Sequence, residues 1–223
     1  MNSVIGKFAA AVVVAGLSFA SAAQAAIVTY SDLAAWKVDT TINVGTAVIA
    51  GSDFTDYTSI TLANGSVLSG ISPAVERRTV GTSWATWPGQ PGSNGTTVFY
   101  SQGALAVSMT FTGGSLLFGP TDAAGFFIEP DSFGGYDITL TFADGTTLTQ
   151  EVQGQAGAKF FGWTGASVIG LTITGEAGSG GFAFGDFYEG RSASSVPEPA
   201  SLALLGMGLL GLAGLRQLRR RQA

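Results

Sequence analysis

The chain has neither cysteine nor histidine among its 223 residues. Without cysteine it cannot form disulfides, thiolate nucleophiles or cysteine-ligated zinc sites, and without histidine it has no serine–histidine triad and no histidine-ligated haem. These absences exclude most of the common catalytic and metal-binding classes. Carboxylates, hydroxyls, a few basic groups and aromatic rings are left to form any site.

Basic residues are also scarce, with ten lysines and arginines against fifteen aspartates and glutamates. Half of the basic residues lie in the two terminal segments. The part between them, residues 26–191, keeps five basic and fourteen acidic side chains, which is a formal charge of −9. Because such a surface repels a polyanion, we expect no nucleic-acid partner.

The first 25 residues have the pattern of a secretory signal peptide. Lys7 precedes an apolar run at residues 8–19, and small residues then lead to Ala25. As a helix this run is about 18 Å long, which is too short to cross a hydrocarbon core of about 30 Å. We therefore predict a signal peptide at residues 1–25 that is cleaved between Ala25 and Ala26. The alternative interpretation is an uncleaved anchor helix.

The C-terminal segment combines a short proline motif, an apolar run and a basic end. A serine-rich linker at residues 192–196 precedes Pro197, Glu198 and Pro199, whose prolines favour extended backbone and stop a helix from growing backward. Residues 200–215 would span about 24 Å as a transmembrane helix, so they need local thinning or snorkelling side chains. By the positive-inside rule the basic cluster should stay cytoplasmic, which puts the preceding domain outside the inner membrane. The cluster comprises Arg216, Arg219, Arg220 and Arg221.

This tail, residues 197–223, resembles the PEP-CTERM sorting signal of bacterial surface proteins. The resemblance rests on the proline–glutamate–proline motif, the short helix rich in leucine, glycine and alanine, and the terminal arginines, in that order. It implies that an exosortase, a membrane transpeptidase, recognises Pro197, Glu198 and Pro199 and processes the protein near them. It also implies anchoring in the inner membrane before processing, and then a place at the cell surface or outside the cell. The alternative is an ordinary C-terminal anchor with a proline-rich spacer.

The region between the two signals has the alternation of β-strands. Apolar side chains take every second position of residues 105–111, which is typical of a half-buried strand. Residues 138–142 and 146–152 alternate on either side of Asp144 and Gly145, and this pattern predicts a hairpin. Further strands are expected at residues 60–62, 67–71, 98–100, 126–128, 160–163, 168–174 and 182–188.

Short strands separated by glycine-containing turns predict an all-β fold, an antiparallel two-sheet sandwich of jelly-roll type at residues 26–191. Only residues 31–36 have the pattern of a helix, with Ser31 as its N-cap. Parts of this region also resemble the outer domains that accompany the same tail in other PEP-CTERM proteins, most of which have no assigned activity. The segments that resemble them are 124–130, the hairpin around residues 144–145, 157–163 and 182–187.

Trp84 and Trp87 lie in a segment, residues 84–92, that its prolines and glycines keep from forming regular structure. Tryptophans in a loop of a sandwich are suited to stack on sugar rings, since an aromatic face matches the apolar face of a pyranose. This pattern predicts a carbohydrate contact. The alternative interpretation is that both rings fold back over the end of the core.

Glu129, Asp131 and Asp186 are the acids that we nominate as calcium ligands, because calcium needs several oxygens that converge on one point. A pair of carboxylates could also serve a glycosidase. No EF-hand loop is present in the sequence. The alternative interpretation is that these acids lie in solvated turns.

Three functions remain open on the sequence. The first, which the family resemblance implies, is a non-enzymatic sandwich protein without catalytic residues or cofactor, sorted to the surface and associated with the cell envelope or its extracellular polysaccharide. The second is a carbohydrate-binding module that uses Trp84 and Trp87. The third is an exported hydrolase.

Overall fold

The computed structural model describes residues 26–46, 48, 51–87, 97–116 and 119–193. The predicted signal peptide with Ala25, the sorting motif, the transmembrane helix and the basic cluster lie outside these residues. Within the described part, no helix is long and apolar enough to cross a membrane.

The described residues form short strands and one short helix, α1 (Leu33–Val38). The strands are β1 (Val28–Tyr30), β2 (Thr40–Thr46), β3 (Asp56–Tyr57), β4 (Ser59–Thr61), β5 (Val67–Ser72), β6 (Val75–Thr79), β7 (Thr97–Tyr100), β8 (Ala106–Thr112), β9 (Ser115–Leu116), β10 (Gly119–Pro120), β11 (Ala123–Pro130), β12 (Gly135–Phe142), β13 (Thr147–Gln153), β14 (Lys159–Thr164), β15 (Val168–Gly175) and β16 (Phe182–Ser192).

These strands form two main antiparallel sheets and a small ribbon. The larger sheet has the order β1-β14-β11-β16-β7-β6-β3, with β2 also paired to β16, and the smaller has the order β13-β12-β15-β8-β5-β4. Strands β9 and β10 form the ribbon. For the part of the chain that the structure describes, the prediction of an all-β fold with two antiparallel sheets is confirmed.

The main core lies between the two sheets and takes alternate side chains from each. In β8, Val107, Met109 and Phe111 are buried, while the serine and threonine between them are not. Trp163 of β14 is fully buried and its ring meets that of Phe111 edge-on, with 5.3 Å between centroids. Each large apolar side chain buried in this way contributes about 1.5–3 kcal/mol to stability. The alternation seen in the sequence therefore corresponds to the inward faces of the sheets.

The predicted turn at Asp144 and Gly145 is present, and a second turn of the same kind joins β4 and β5. Gly145 has φ +89° between β12 and β13, and the Asp144 carboxylate accepts from the Thr146 amide at 2.8 Å. Between β4 and β5, Gly65 has φ +87°, and the Asn64 side chain accepts from the Ser66 amide. Glycine suits both positions because it adopts positive φ without a steric penalty.

A buried polar network ties the second of these turns to the larger sheet. Glu189 of β16 has no exposed surface, and its Oε2 accepts from Asn64 Nδ2 at 2.6 Å, from the Ser66 hydroxyl and from the Thr121 hydroxyl at 3.2 Å. Burial raises the pKa of Glu189, although the three donors oppose the rise. The carboxyl group thus joins the two sheets through hydrogen bonds.

A second apolar cluster covers the face of the larger sheet that points away from the main core. We call it the outer cluster, and Trp36 of α1 is its most deeply buried ring. The Trp36 indole donates to the Trp163 carbonyl at 3.1 Å, which fixes α1 on the sheet. The cluster comprises Trp36, Trp84, Trp87, Val98, Ala123, Phe127, Ala158, Phe160, Ala183 and Tyr188.

The position of α1 corrects the prediction for its start. The N-cap is Asp32, not Ser31, because Asp32 has extended backbone (φ −136°, ψ 130°) and its Oδ1 accepts from the Ala35 amide at 2.8 Å. A carboxylate satisfies a free amide of the first turn better than a hydroxyl that lies one residue too early. The helix begins at Leu33 and ends at Val38, two residues beyond the predicted end.

Strand β16 contains a bulge that changes which way its side chains point. Asp186 has φ +51°, and the register against β11 shifts between Gly125 and Phe127. Phe184 and Phe187 both belong to the main core, whereas Asp186 contacts the outer cluster. The strand also includes Ser192, which the sequence analysis assigns to the linker, because Ser192 pairs with Thr40 of β2.

Candidate functional site

The segment of residues 80–87 folds across the outer face of the larger sheet, and we call it the cover segment. It begins with a tight turn in which the amides of Ser83 and Trp84 both donate to the Thr79 carbonyl. The Ser83 hydroxyl donates to Asp53 Oδ2 at 2.7 Å, and Asp53 forms an ion pair with Arg77. The hydrogen bond from Ser83 lowers the pKa of Asp53, with Thr79 and Arg77 acting in the same direction. One end of the cover segment is therefore fixed by a charged group.

A cleft of about 370 Å³ opens beside the cover segment. We call it the aromatic cleft because the rings of Trp84 and Tyr100 lie against each other, with 5.3 Å between centroids, and Phe133 stands at its edge. Phe133 is 68% exposed, so its ring is available to a ligand. The cleft is lined by Arg78, Ser83, Trp84, Ala85, Thr86, Tyr100, Asp131 and Phe133.

Hydrogen-bond donors and acceptors, and charges of both signs, border these rings. The Tyr100 hydroxyl donates to Asp131 Oδ2 at 3.1 Å, with the Gly180 carbonyl 3.2 Å away. The guanidinium of Arg78 lies 5.7 Å from the centre of the Tyr100 ring and forms an ion pair with Glu76. Burial, followed by the charge of Asp131, raises the pKa of Tyr100 to about 12, so the phenol stays protonated as a donor.

The two tryptophans of the sequence prediction have different environments. Trp84 is 7% exposed and lines the aromatic cleft, while its indole donates to the Thr86 carbonyl at 2.9 Å. Trp87 is 8% exposed and does not line the cleft; its indole donates to Asp186 Oδ2 at 2.9 Å. Both rings pack in the outer cluster. Of the two, Trp84 is therefore the one placed to touch a ligand in the cleft.

Glu129 lies beneath the cover segment, inside β11, and has no exposed surface. Its Oε1 accepts from the Ala156 amide at 3.0 Å. Burial raises the pKa of Glu129 from 4.5 to about 7, and the nearby side chains of Thr86 and Trp84 and the Ala156 amide reduce the rise. The interpretation of Glu129 and Asp186 as solvated turn acids is wrong, because both lie within strands and are buried.

The three acids nominated for calcium have three different sets of partners. Glu129 binds the Ala156 amide, Asp131 accepts from Tyr100 in the aromatic cleft, and Asp186 accepts from Trp87. Among the described residues, no group of three or more acidic side chains is arranged to hold a metal ion.

Sequence reasoning did not find three residues of the cleft: Arg78, Tyr100 and Phe133. They come from β6, from β7 and from the loop after β11, so only the sheet order brings them together. A signal was available for Arg78, because adjacent arginines are unusual in a domain with so few basic residues.

Comparison with known families identifies the tail. The family model described as the PEP-CTERM protein-sorting motif matches residues 195–221. The resemblance predicted from the sequence is therefore confirmed, and the chain carries a PEP-CTERM sorting motif. The motif implies processing by an exosortase and an exported protein that is anchored in the membrane before processing. No curated protein matches the chain.

Proposed function

We propose that this chain is a non-enzymatic surface protein that an exosortase processes and that then stays with the cell envelope or its extracellular polysaccharide. The observation that carries the proposal is the sorting motif at residues 195–221, which begins three positions after Ser192, the end of the last strand of the sandwich. The folded domain needs no cofactor in this role, because its contribution is a stable surface presented outside the membrane.

The sandwich is of jelly-roll type in this proposal. In the larger sheet, four strands have the order β7-β16-β11-β14, and in the smaller sheet four have the order β8-β15-β12-β13. Successive strands of the chain mostly alternate between these two sets. This alternation between the two sheets supports two interleaved Greek keys, which is the jelly-roll arrangement.

Intact mass spectrometry of the protein from membrane and extracellular fractions tests the sorting proposal. A species that begins near Ala26 and ends near Pro197–Pro199 would support export, signal cleavage and removal of the tail. A species that keeps the tail through Ala223 and occurs only in the inner membrane would contradict it, and the chain would then be a simple anchored domain.

The aromatic cleft favours a second candidate function, binding of a carbohydrate by the exported domain. Trp84, Tyr100 and Phe133 supply ring faces, Asp131 supplies an acceptor and Arg78 supplies donors. Apolar faces beside a few fixed polar groups are typical of ligand sites, and aromatic rings match the apolar face of a pyranose. A length of polysaccharide on the cell surface is the ligand that this role requires.

Co-sedimentation with extracellular polysaccharide from the native host tests the second candidate. Phe133→Ala should reduce retention several-fold without lowering the melting temperature, because this ring is mostly exposed. Val38→Ala, which removes an exposed apolar side chain on α1 outside the cleft, is the matched control and should retain the polysaccharide. Equal retention by wild type and Phe133→Ala would count against the cleft.

A further inference from the structure

A cavity of about 570 Å³ lies between α1 and β14, apart from the aromatic cleft. We call it the lysine pocket, because Lys37 of α1 and Lys159 of β14 both line it. Its volume is in the range of sites for small molecules. The lining residues are Ser31, Asp32, Leu33, Ala34, Lys37, Phe127, Gln150, Ala158, Lys159 and Phe160.

The lysine pocket has aromatic side chains in its wall. The rings of Phe127 and Phe160 lie 5.5 Å apart between centroids, inclined by 59°. Both are almost completely buried in the outer cluster, so what they present to the pocket is a fixed apolar surface. Phe160 is also held through its carbonyl, which accepts from Gln150 Nε2 at 2.7 Å. The pocket is therefore preformed on this side.

The charge of the pocket contrasts with that of the domain around it. The domain has five basic residues and a formal charge of −9, yet two of the five line this one cavity. Arg77 and Arg78 form ion pairs with acids elsewhere. Lys37 Nζ lies 5.2 Å from the centre of the Tyr188 ring, and Lys159 is exposed at the start of β14. Two ammonium groups beside one cavity favour an anion where the rest of the surface repels one.

One acid, Asp32, also lines the pocket and constrains the ligand. Its Oδ1 accepts from the Ala35 amide as the helix cap. A carboxylate at the wall disfavours a compact, highly charged anion such as phosphate, but it accepts well from hydroxyl groups. The ligand should therefore carry a single negative charge, several hydroxyls and an apolar face.

We propose that the lysine pocket binds a sugar acid, namely a pyranose that carries a carboxylate. The carboxylate is bound by Lys37 and Lys159, the hydroxyls reach Asp32 and Gln150, and the apolar face of the ring contacts Phe160. The site shares no residue with the aromatic cleft, so it does not depend on the function proposed for that cleft.

Ligand-observed NMR of the full chain in mild detergent, with saturation transfer to D-glucuronate, tests the proposal. D-glucose, which has the same ring without the carboxylate, is the matched ligand control. We expect saturation transfer to glucuronate with a millimolar dissociation constant, at least about tenfold weaker transfer to glucose, and loss of the glucuronate signal as salt rises.

Variants of the two cavities show which of them binds glucuronate. Lys37→Met with Lys159→Met keeps the aliphatic stems and removes both charges, and it should abolish transfer to glucuronate at an unchanged melting temperature. Arg78→Met alters the aromatic cleft and should leave glucuronate binding intact. Equal binding of glucose and glucuronate, or binding that survives the double lysine variant, would overturn the proposal, as would loss of binding in Arg78→Met alone.

Discussion

The indole of Trp87 donates to Oδ2 of Asp186 at 2.9 Å and so joins two residues that are 99 positions apart in the chain. The acid lies at the bulge of β16 with positive φ, and the tryptophan is the last residue of the cover segment. A buried carboxylate is costly without donors, so the bond compensates part of that cost. It also attaches the cover segment at the end opposite to Asp53.

Trp87→Phe should therefore destabilise the domain by about 1–3 kcal/mol, because it removes a donor from a buried acid while it keeps an aromatic ring. The free energy of unfolding from urea titration measures this change. The matched control is the same substitution in an Asp186→Asn background: the buried carboxylate is absent there, so Trp87→Phe should cost less. Equal costs of Trp87→Phe in the two backgrounds would show that its bond to the Asp186 carboxylate does not stabilise the domain.

The raised pKa of Glu129 should make the stability of the domain fall as the pH rises. Its pKa is about 7 in the folded chain and near 4.5 when unfolded, so between these values the folded state binds more protons. Stability should then fall as pH rises from 4.5 to 7, by about 2–3 kcal/mol from this group, and level off above pH 7.

Glu129→Gln should remove this component and flatten the profile, so that the variant is more stable than wild type at pH 8. Glu189 acts in the same direction, since burial raises its pKa as well. The stability of the double variant Glu129→Gln with Glu189→Gln should depend even less on pH. A profile for Glu129→Gln that falls as steeply as that of wild type would show that Glu129 does not titrate in this range.

Glu198→Ala tests the sorting motif inside the matched segment. Export should be unchanged, because the substitution leaves the predicted signal peptide as it is, but the tail should no longer be removed. Intact mass of the membrane fraction then shows a species that retains Ala223. Glu176→Ala, which removes an acid in the loop after β15, is the control and should be processed as wild type is. Normal removal of the tail in Glu198→Ala would argue strongly against the assignment.

Calcium removal should not destabilise the domain, because Glu129, Asp131 and Asp186 are engaged with separate partners. A ligand that binds only the folded state raises the melting temperature with its concentration. Melting in excess EDTA and in millimolar calcium should therefore agree within about 1 °C. A melting temperature that is clearly higher in calcium than in EDTA would instead support the calcium site predicted from the sequence.

The strands and their turns could be predicted because their signals are local. Alternation in residues 138–142 and 146–152 and the turn at Asp144 and Gly145 need no knowledge of the rest of the chain. The assignment of strands to sheets does need it. Gly178 to Gly181 suggests a hairpin turn, yet it links β15 of the smaller sheet to β16 of the larger.

The candidate site was harder to predict for the same reason. Asp186 shares parity with Phe184 in the sequence, but the bulge turns it to the other face, where Trp87 contacts it. Tyr100 and Asp131 meet only because β7 and β11 both flank β16. Pairings between distant strands depend on the whole topology, and no short sequence pattern predicts them.

The length and position of β16 matter for the protein as a mechanical element. It is hydrogen-bonded to β11 on one side and to β7 and β2 on the other, and it ends at Ser192, three residues before the matched sorting motif. Tension on the tail therefore passes into an internal strand and not into an edge strand that could peel away. Ladders on both sides must break before the domain yields, so a force applied at the end of β16 meets more resistance than it would at an edge strand.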